Sequence, residues 1–205
     1  MKPVGVLRFL GTNCDADVLT ALDSLNVKSE YVWWADRFDP KKYQGLILPG
    51  GFSYGDYLRA GALAARAPAM DDLRIAAKAG LPILGICNGF QILCEAGLLE
   101  GALTKNISRK FQDEWMEVFD GQKKYRLPIA HSLGRYLAPE KTIQKMFDSK
   151  QVWLTYSKNP NGSLSDIAGL SNGDKNVRAL MPHPERAMHD WMGSSDGRTL
   201  FGVFL

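Results

Sequence analysis

The sequence predicts an α/β protein: an open, mostly parallel sheet flanked by helices, carrying a nucleophile elbow, with additional antiparallel strands in its second half. Three observations predict it. Short apolar runs alternate with helical periodicity through the first half, the pattern of parallel strands covered on both faces. A cysteine flanked by glycines at ±2 stands between one such run and the helix that follows. The second half instead shows strand-like segments separated by turn signals.

In chain order, Val4–Leu10 and Ser29–Trp34 read as strands. Ala16, Leu19, Leu22 and Leu25 mark a helix between them, with Asn13 or Asp15 as the expected cap. Leu46–Leu48 is a short buried strand stopped by Pro49-Gly50-Gly51. Ala62–Ala79 is alanine-rich and predicted helical, ending at Gly80. Pro82–Ile86 is the next strand and Gly89–Ala96 a helix that stops at Gly97. Trp115–Phe119 and Tyr125–Ala130 form an expected hairpin around Asp120-Gly121, and Glu140–Asp148 a helix. Gln151–Tyr156, Ile167–Leu170 and Val177–Met181 read as strands, with the turn-rich run Asn159-Pro-Asn-Gly-Ser163 between the first two. Thr199–Leu205 reads as a closing helix. No repeat or linker divides the chain, so residues 1–205 are read as one domain.

Composition narrows the class. A chain of 205 residues buries roughly 70% of the surface its unfolded form exposes, so it needs no staples. With 45% hydrophobic and 23% charged residues it is an ordinary globular chain. No apolar run approaches the ~20 residues of a membrane span, and Val4–Leu10, interrupted by Arg8, does not read as a signal peptide. A net charge of +3 without any long Lys/Arg block gives no nucleic-acid footprint. Three cysteines, an odd number, fit the reducing cytoplasm.

The candidate nucleophile is Cys87, in Ile83-Leu-Gly-Ile-Cys87-Asn-Gly-Phe-Gln91. A sharp strand-to-helix turn strains the nucleophile's backbone, and side chains at Gly85 and Gly89 would collide. The turn sets the sulfur at a helix N-terminus, whose partial positive charge favours thiolate, and aims the Asn88 N–H at a developing oxyanion. Cys94 falls on the apolar face of the next helix and reads as core; Cys14 lies in a loop with no role assigned.

A cysteine nucleophile needs a base and the base an orienting group. Of three histidines, His183 sits in Met181-Pro-His-Pro-Glu185 after a strand. In an extended segment residues 183 and 185 project to one side, so Glu185 can hold one imidazole nitrogen and leave the other for Cys87. His131 and His189 read as surface or capping residues. No pair of histidines and cysteines shows ligand spacing, so no metal is expected. The run Pro49-Gly-Gly-Phe-Ser-Tyr-Gly-Asp-Tyr-Leu-Arg-Ala-Gly61 lacks the ending of a phosphate loop. Glycines at a strand end, here Gly50 and Gly51, let backbone N–H groups approach a ligand, so this loop is the expected source of a second oxyanion donor beside Asn88.

With these residues in place the chain resembles the class I (triad) glutamine amidotransferases, and within them the family of glutaminase subunits of phosphoribosylformylglycinamidine synthase. Gly11-Thr-Asn-Cys-Asp15, Pro49–Gly61, Gly85–Gln91, Asn161–Ala168, Met181–Ala187 and Gly193–Gly197 match that pattern in order. The resemblance implies that Cys87, His183 and Glu185 hydrolyse L-glutamine through a glutamyl thioester. It implies oxyanion donors at Gly51 and Asn88, and Gln91 near the bound glutamine. It implies that ammonia passes to a large synthetase subunit, with a small accessory subunit, and that ATP and Mg are used there and no cofactor here. Where the family has Ala-His-Gly-Glu-Gly this chain has Ala130-His-Ser-Leu-Gly134, and Ser132-Leu133 resembles the glutamine-holding loop of other class I members. The stretch 105–125 is short, and Lys105–Lys110 is locally basic, a partner surface or a solvated loop. Two other readings explain fewer of these segments: a stand-alone cysteine hydrolase on the related scaffold, and a non-catalytic regulatory subunit.

Overall fold

The structure is a computed structural model that describes residues 2–204. Its centre is a nine-stranded sheet in the order β2-β1-β3-β4-β11-β10-β9-β6-β7. The strands are β1 Val4–Arg8, β2 Ser29–Trp33, β3 Gly45–Leu48, β4 Ile83–Ile86, β6 Gln112–Phe119, β7 Lys124–His131, β9 Val152–Tyr156, β10 Ile167–Ser171 and β11 Val177–Leu180. From β2 to β11 neighbours run parallel; from β11 to β7 they run antiparallel. Every residue of β3 and β4 is buried, as a parallel strand covered on both faces requires. The helices are α1 Asp15–Asp23, α2 Ala69–Lys78, α3 Asn88–Glu95, α4 Glu140–Asp148 and α5 Gly197–Leu200.

The expected strands and helices of the first half form, with two corrections. The predicted helix Ala62–Ala79 is broken. Ala64–Arg66 makes a single 3-10 turn, Ala67 is extended at ψ 150, and α2 begins only at Ala69. Pro68 is the cause, because proline disfavours the helical region for the residue before it. The expected end does hold: Gly80, at φ +80, follows α2 in the left-handed conformation. Neither Asn13 nor Asp15 caps α1; Cys14 occupies the cap position without a side-chain bond to the helix N–H groups, and Asp15 pairs with Arg8 at 2.8 Å. A two-stranded ribbon, β5 Ala102–Thr104 with β8 Arg135–Leu137, was not expected.

The hairpin β6–β7 is longer than the sequence suggests, pairing Gln112 with His131 at its open end. Its turn is built by Asp120, whose Oδ1 accepts from the Gln122 and Lys123 N–H groups at 2.8 and 2.7 Å. The expected helix 199–205 is α5 followed by a 3-10 turn at Gly202–Phe204; Leu205 lies outside the described residues. Among the described residues no helix is long and apolar enough to cross a membrane.

What positions the site is the order β3-β4-β11. These adjacent parallel strands end together, Leu48 beside Gly85 and Ile86 beside Leu180. Their carboxyl-terminal loops therefore converge, the place where open α/β sheets bind ligands. Helix α3 must lie close on β3 to leave that turn, and Gly89 permits it: a Cβ there would strike the Leu48 carbonyl oxygen. Gly89→Ala should therefore lower stability by about 3 kcal/mol or more. Gly80→Ala, with open space around it, should lose only the ~1–2 kcal/mol of a left-handed alanine. Urea denaturation of the two variants checks the contrast.

Candidate active site

Cys87 joins β4 to α3 at φ 49, ψ −102, a left-handed conformation for a residue with a side chain. Its N–H donates to the Leu180 carbonyl at 2.8 Å, holding the elbow to β11. The expected glycine requirement is met in detail: a Cβ on Gly85 would come within 2.9 Å of the Gly89 backbone. Asn88 opens α3, so its N–H has no intrahelical acceptor. The Cys87 Sγ is buried, 3.9 Å from the Ala130 carbonyl oxygen on β7.

His183 follows β11 in extended backbone, its N–H donating to the Pro128 carbonyl of β7 at 2.8 Å. A tight 3-10 turn over Pro184–Arg186 then folds Glu185 back onto the ring. The predicted contact is made through this turn rather than through a continued extended segment: Nδ1–H donates to Glu185 Oε1 at 2.6 Å. Their side chains are 2% and 0% exposed. Burial by itself opposes charge on His183, but the Glu185 carboxylate and the Cys87 sulfur outweigh it and raise the imidazole well above its usual pKa. The Nε2 atom of His183 and Oε2 of Glu185 are buried with no hydrogen-bond partner among the described residues.

Gly50 lies directly against this pair, since a Cβ there would meet His183 Cε1 at 2.7 Å and Cys14 Sγ at 3.1 Å. Gly51, at φ +145, bridges to Thr12, and a Cβ would meet the Asn13 nitrogen and Gly11 oxygen at 2.8 Å. The loop beyond is strained at Tyr54, Asp56 and Leu58, all at positive φ. Arg59 anchors it to α3 through a bidentate pair with Glu95 at 2.8 and 2.6 Å.

Gln91 and the 132–133 loop are joined. The Asn88 Nδ2 donates to Gln91 Oε1 at 2.8 Å, and Gln91 Nε2 donates to the Leu133 carbonyl at 2.7 Å. The same loop is fastened from its other side: Asn106 N–H donates to the Ser132 carbonyl at 2.9 Å, and Asn161 Nδ2 to the Gly134 carbonyl at 2.9 Å. Ser132 and Leu133 line a cleft of about 880 Å³ whose rim carries Lys105, Arg109 and Arg135. The locally basic stretch 105–110 is thus one wall of that cleft.

Sequence reasoning missed four residues here. His131 is neither exposed nor a cap: it is 3% exposed, at the end of β7. Cys14 Sγ lies within 4.8 Å of ligand-type atoms of both His183 and Glu185, a grouping that linear spacing did not show. Its surroundings are those of a hydrogen-bond cluster, because the Arg186 guanidinium stands 3.2 Å from the sulfur and opposes a cation there. Asn106 and Tyr156 complete the set. Asn106 is buried and holds the loop; Tyr156 is buried with its hydroxyl unpartnered among the described residues. No local pattern announces any of them, since each is brought to the site only by the sheet order. His189 stacks on the exposed Trp191 at 5.6 Å, and Cys94 is core, its thiol pushed up by burial.

Unpartnered polar atoms around a buried thiol cost about 1–3 kcal/mol each, so the site is built for a polar ligand. His131 makes this measurable. Burial, and then the charge on His183, lower its pKa to about 4. The unfolded chain, near 6.5, then binds the extra proton first, so stability is full above pH 6.5 and falls toward pH 4, by on the order of 3 kcal/mol. Urea midpoints measured between these pH values should drop for the wild-type chain, and the drop should be shallower in His131→Asn.

An elbow cysteine beside a buried histidine–glutamate pair, on an open α/β sheet, is the arrangement of a cysteine-nucleophile acyl-transfer enzyme. The chain belongs to the CobB/CobQ-like glutamine amidotransferase domain family, whose profile matches residues 2–199. It is 46% identical over 220 residues to phosphoribosylformylglycinamidine synthase subunit PurQ of Methanosarcina mazei, covering 97% of this chain and 94% of that protein. It is 43% identical over 214 residues to the subunit of the same name from Helicobacter hepaticus, covering 98% and 96%. A chain of the PurLQS structure from Thermotoga maritima superposes with a TM-score of 0.89 at 43% identity, covering 100% of this chain and 98% of that one. The fold extends to a glutamine amidotransferase of Thermotoga maritima, 18% identical, with a TM-score of 0.60.

Proposed function

We propose that this chain is the glutaminase subunit of phosphoribosylformylglycinamidine synthase, with Cys87, His183 and Glu185 as its catalytic residues. The observation that carries the reading is the buried Cys87–His183–Glu185 arrangement at the ends of β4 and β11, in a chain 43–46% identical to PurQ subunits over nearly its whole length. The Cys87 sulfur attacks the side-chain amide carbon of L-glutamine, its proton already resting on the charged His183 at Nε2. The amide oxygen, now negative, takes hydrogen bonds from the Gly51 and Asn88 N–H groups, with Gly50 keeping the strand end against His183. As the tetrahedral adduct collapses, His183 Nε2–H protonates the nitrogen, the C–N bond breaks, and ammonia leaves a glutamyl thioester. Water, deprotonated by the now neutral His183, attacks the thioester carbonyl; the C–S bond breaks and glutamate departs, leaving the Cys87 sulfur free and the proton on His183 for the next turnover. Glu185 holds Nδ1–H throughout, fixing the tautomer and stabilising the imidazolium. Gln91, Ser132 and Leu133 hold the amino-acid end of the substrate.

The ammonia is used by a large synthetase subunit, assisted by a small accessory subunit, which consumes ATP with Mg to convert formylglycinamide ribonucleotide to its amidine. This chain itself needs no cofactor, and the complex works in the cytoplasm. Supporting the partnership is the likeness to a chain of the PurLQS structure.

Cys87→Ala should abolish glutamine-dependent synthesis in the reconstituted complex and leave synthesis from ammonium salts intact; loss of both would make Cys87 structural. Glu185→Ala should lower the glutaminase rate by on the order of 10²–10⁴ while the chain stays folded, and an unchanged rate would remove Glu185 from the mechanism. Ammonia release should rise sharply when the synthetase, loaded with ATP and substrate, is added. Equal release with and without it would point to a stand-alone hydrolase, and none in either case to a non-catalytic subunit.

A further inference from the structure

His131 takes no part in the mechanism above, yet its environment is as constrained as that of the catalytic pair. It is buried at the carboxyl end of β7, one residue beyond Ala130, whose carbonyl oxygen is 3.9 Å from the Cys87 Sγ. Its ring lies close enough to His183 for the charge on that imidazole to oppose a charge on its own. Gly134 leaves the ring its space, since a Cβ there would collide with it.

The hydrogen bonds decide which nitrogen carries the proton. Asn106 Nδ2 donates to the carbonyls of Lys110 and His131, at 3.0 and 2.9 Å. That fixes the orientation of its amide, so Oδ1 must be the acceptor on the other side, where it receives the Gly134 N–H at 3.0 Å. The His131 Nδ1, 3.2 Å from the same oxygen, is therefore the protonated nitrogen. Burial and the neighbouring His183 keep the ring neutral, so Nε2 bears a lone pair. This bare acceptor is buried, and no donor among the described residues reaches it.

We propose that His131 Nε2 accepts a hydrogen bond from the carboxamide nitrogen of glutamine and so acts as a specificity-determining residue for the leaving group. The inference rests on the glutaminase reading. A lone pair has no use beside the amide oxygen, which faces the donors of Gly51 and Asn88. The amide nitrogen, on the opposite side, has two hydrogens to place. After attack by sulfur this nitrogen becomes pyramidal, and its own lone pair must point at the proton on His183. A fixed acceptor for one of its hydrogens sets the rotation about the C–N bond that makes this so. Two imidazoles of opposite character thus serve one atom, His183 giving a proton and His131 accepting an N–H. The carboxylate of product glutamate offers only lone pairs to Nε2 and is repelled.

The test compares two substrates in the complex with the loaded synthetase: glutamine, and the γ-methyl ester of glutamate, whose leaving atom is an oxygen without hydrogen. In His131→Phe, kcat/KM for glutamine should fall about tenfold or more, while that for the ester stays within about threefold of wild type. Equal losses on both substrates would overturn the proposal and make His131 a packing residue. A wild-type complex that releases no ammonia from glutamine would instead defeat the glutaminase reading itself. A measurement that leaves His131 in place covers the case of a variant that does not fold. In Cys87→Ala, which binds without turnover, glutamine should move the ¹⁵N resonance of His131 Nε2 upfield and the methyl ester should not. No movement with saturating glutamine would likewise overturn the proposal.

Discussion

The structure turns on the side-by-side parallel alignment of β3, β4 and β11, with β4 in the middle. Parallel strands end on the same edge of a sheet, so three segments distant in sequence deliver their loops to one point. Cys87 at the end of β4 then has the Gly50-Gly51 loop on one side and His183 on the other. Close register makes the meeting tight, because the Cys87 N–H bonds the Leu180 carbonyl at 2.8 Å. The left-handed backbone at Cys87 is the strained element, and the glycines at 85 and 89 remove the collisions that would otherwise forbid it.

The antiparallel half has a separate task. Strand β7 runs beside the segment after β11, receiving the His183 N–H on Pro128, and its end supplies Ala130, His131 and the loop 132–134. That loop is clamped by Gln91 from the elbow helix and by Asn106 and Asn161 from behind. A ligand between the elbow and the loop would thus meet a hydrogen-bonded segment on each side. Preorganised polar groups need no reorientation during reaction, which is where their catalytic value lies.

Burial makes the electrostatics sharp. His183 and His131 are both nearly inaccessible, yet their protonation is driven in opposite directions. A carboxylate at 2.6 Å holds the first charged, and the absence of such a partner, together with the first ring's charge, keeps the second neutral. One sheet edge therefore presents an acid and an acceptor at the same pH.

The sequence by itself determined the elements whose signal is local: apolar runs of strand length, the glycine-flanked Cys87, the His-Pro-Glu spacing of the candidate base, and the Asp120-Gly121 turn. These follow from backbone sterics and side-chain periodicity, which act over a few residues. Pro68 could have been read the same way, and weighing it would have shortened the helix predicted from residue 62. The tertiary structure alone decided the burial of His131, the approach of Cys14 to the His183–Glu185 pair, the clamp of Asn106 on the 132–134 loop, and the β5–β8 ribbon. Each depends on which strands lie next to one another, and that order is set by the packing of the whole sheet, which no window along the chain contains.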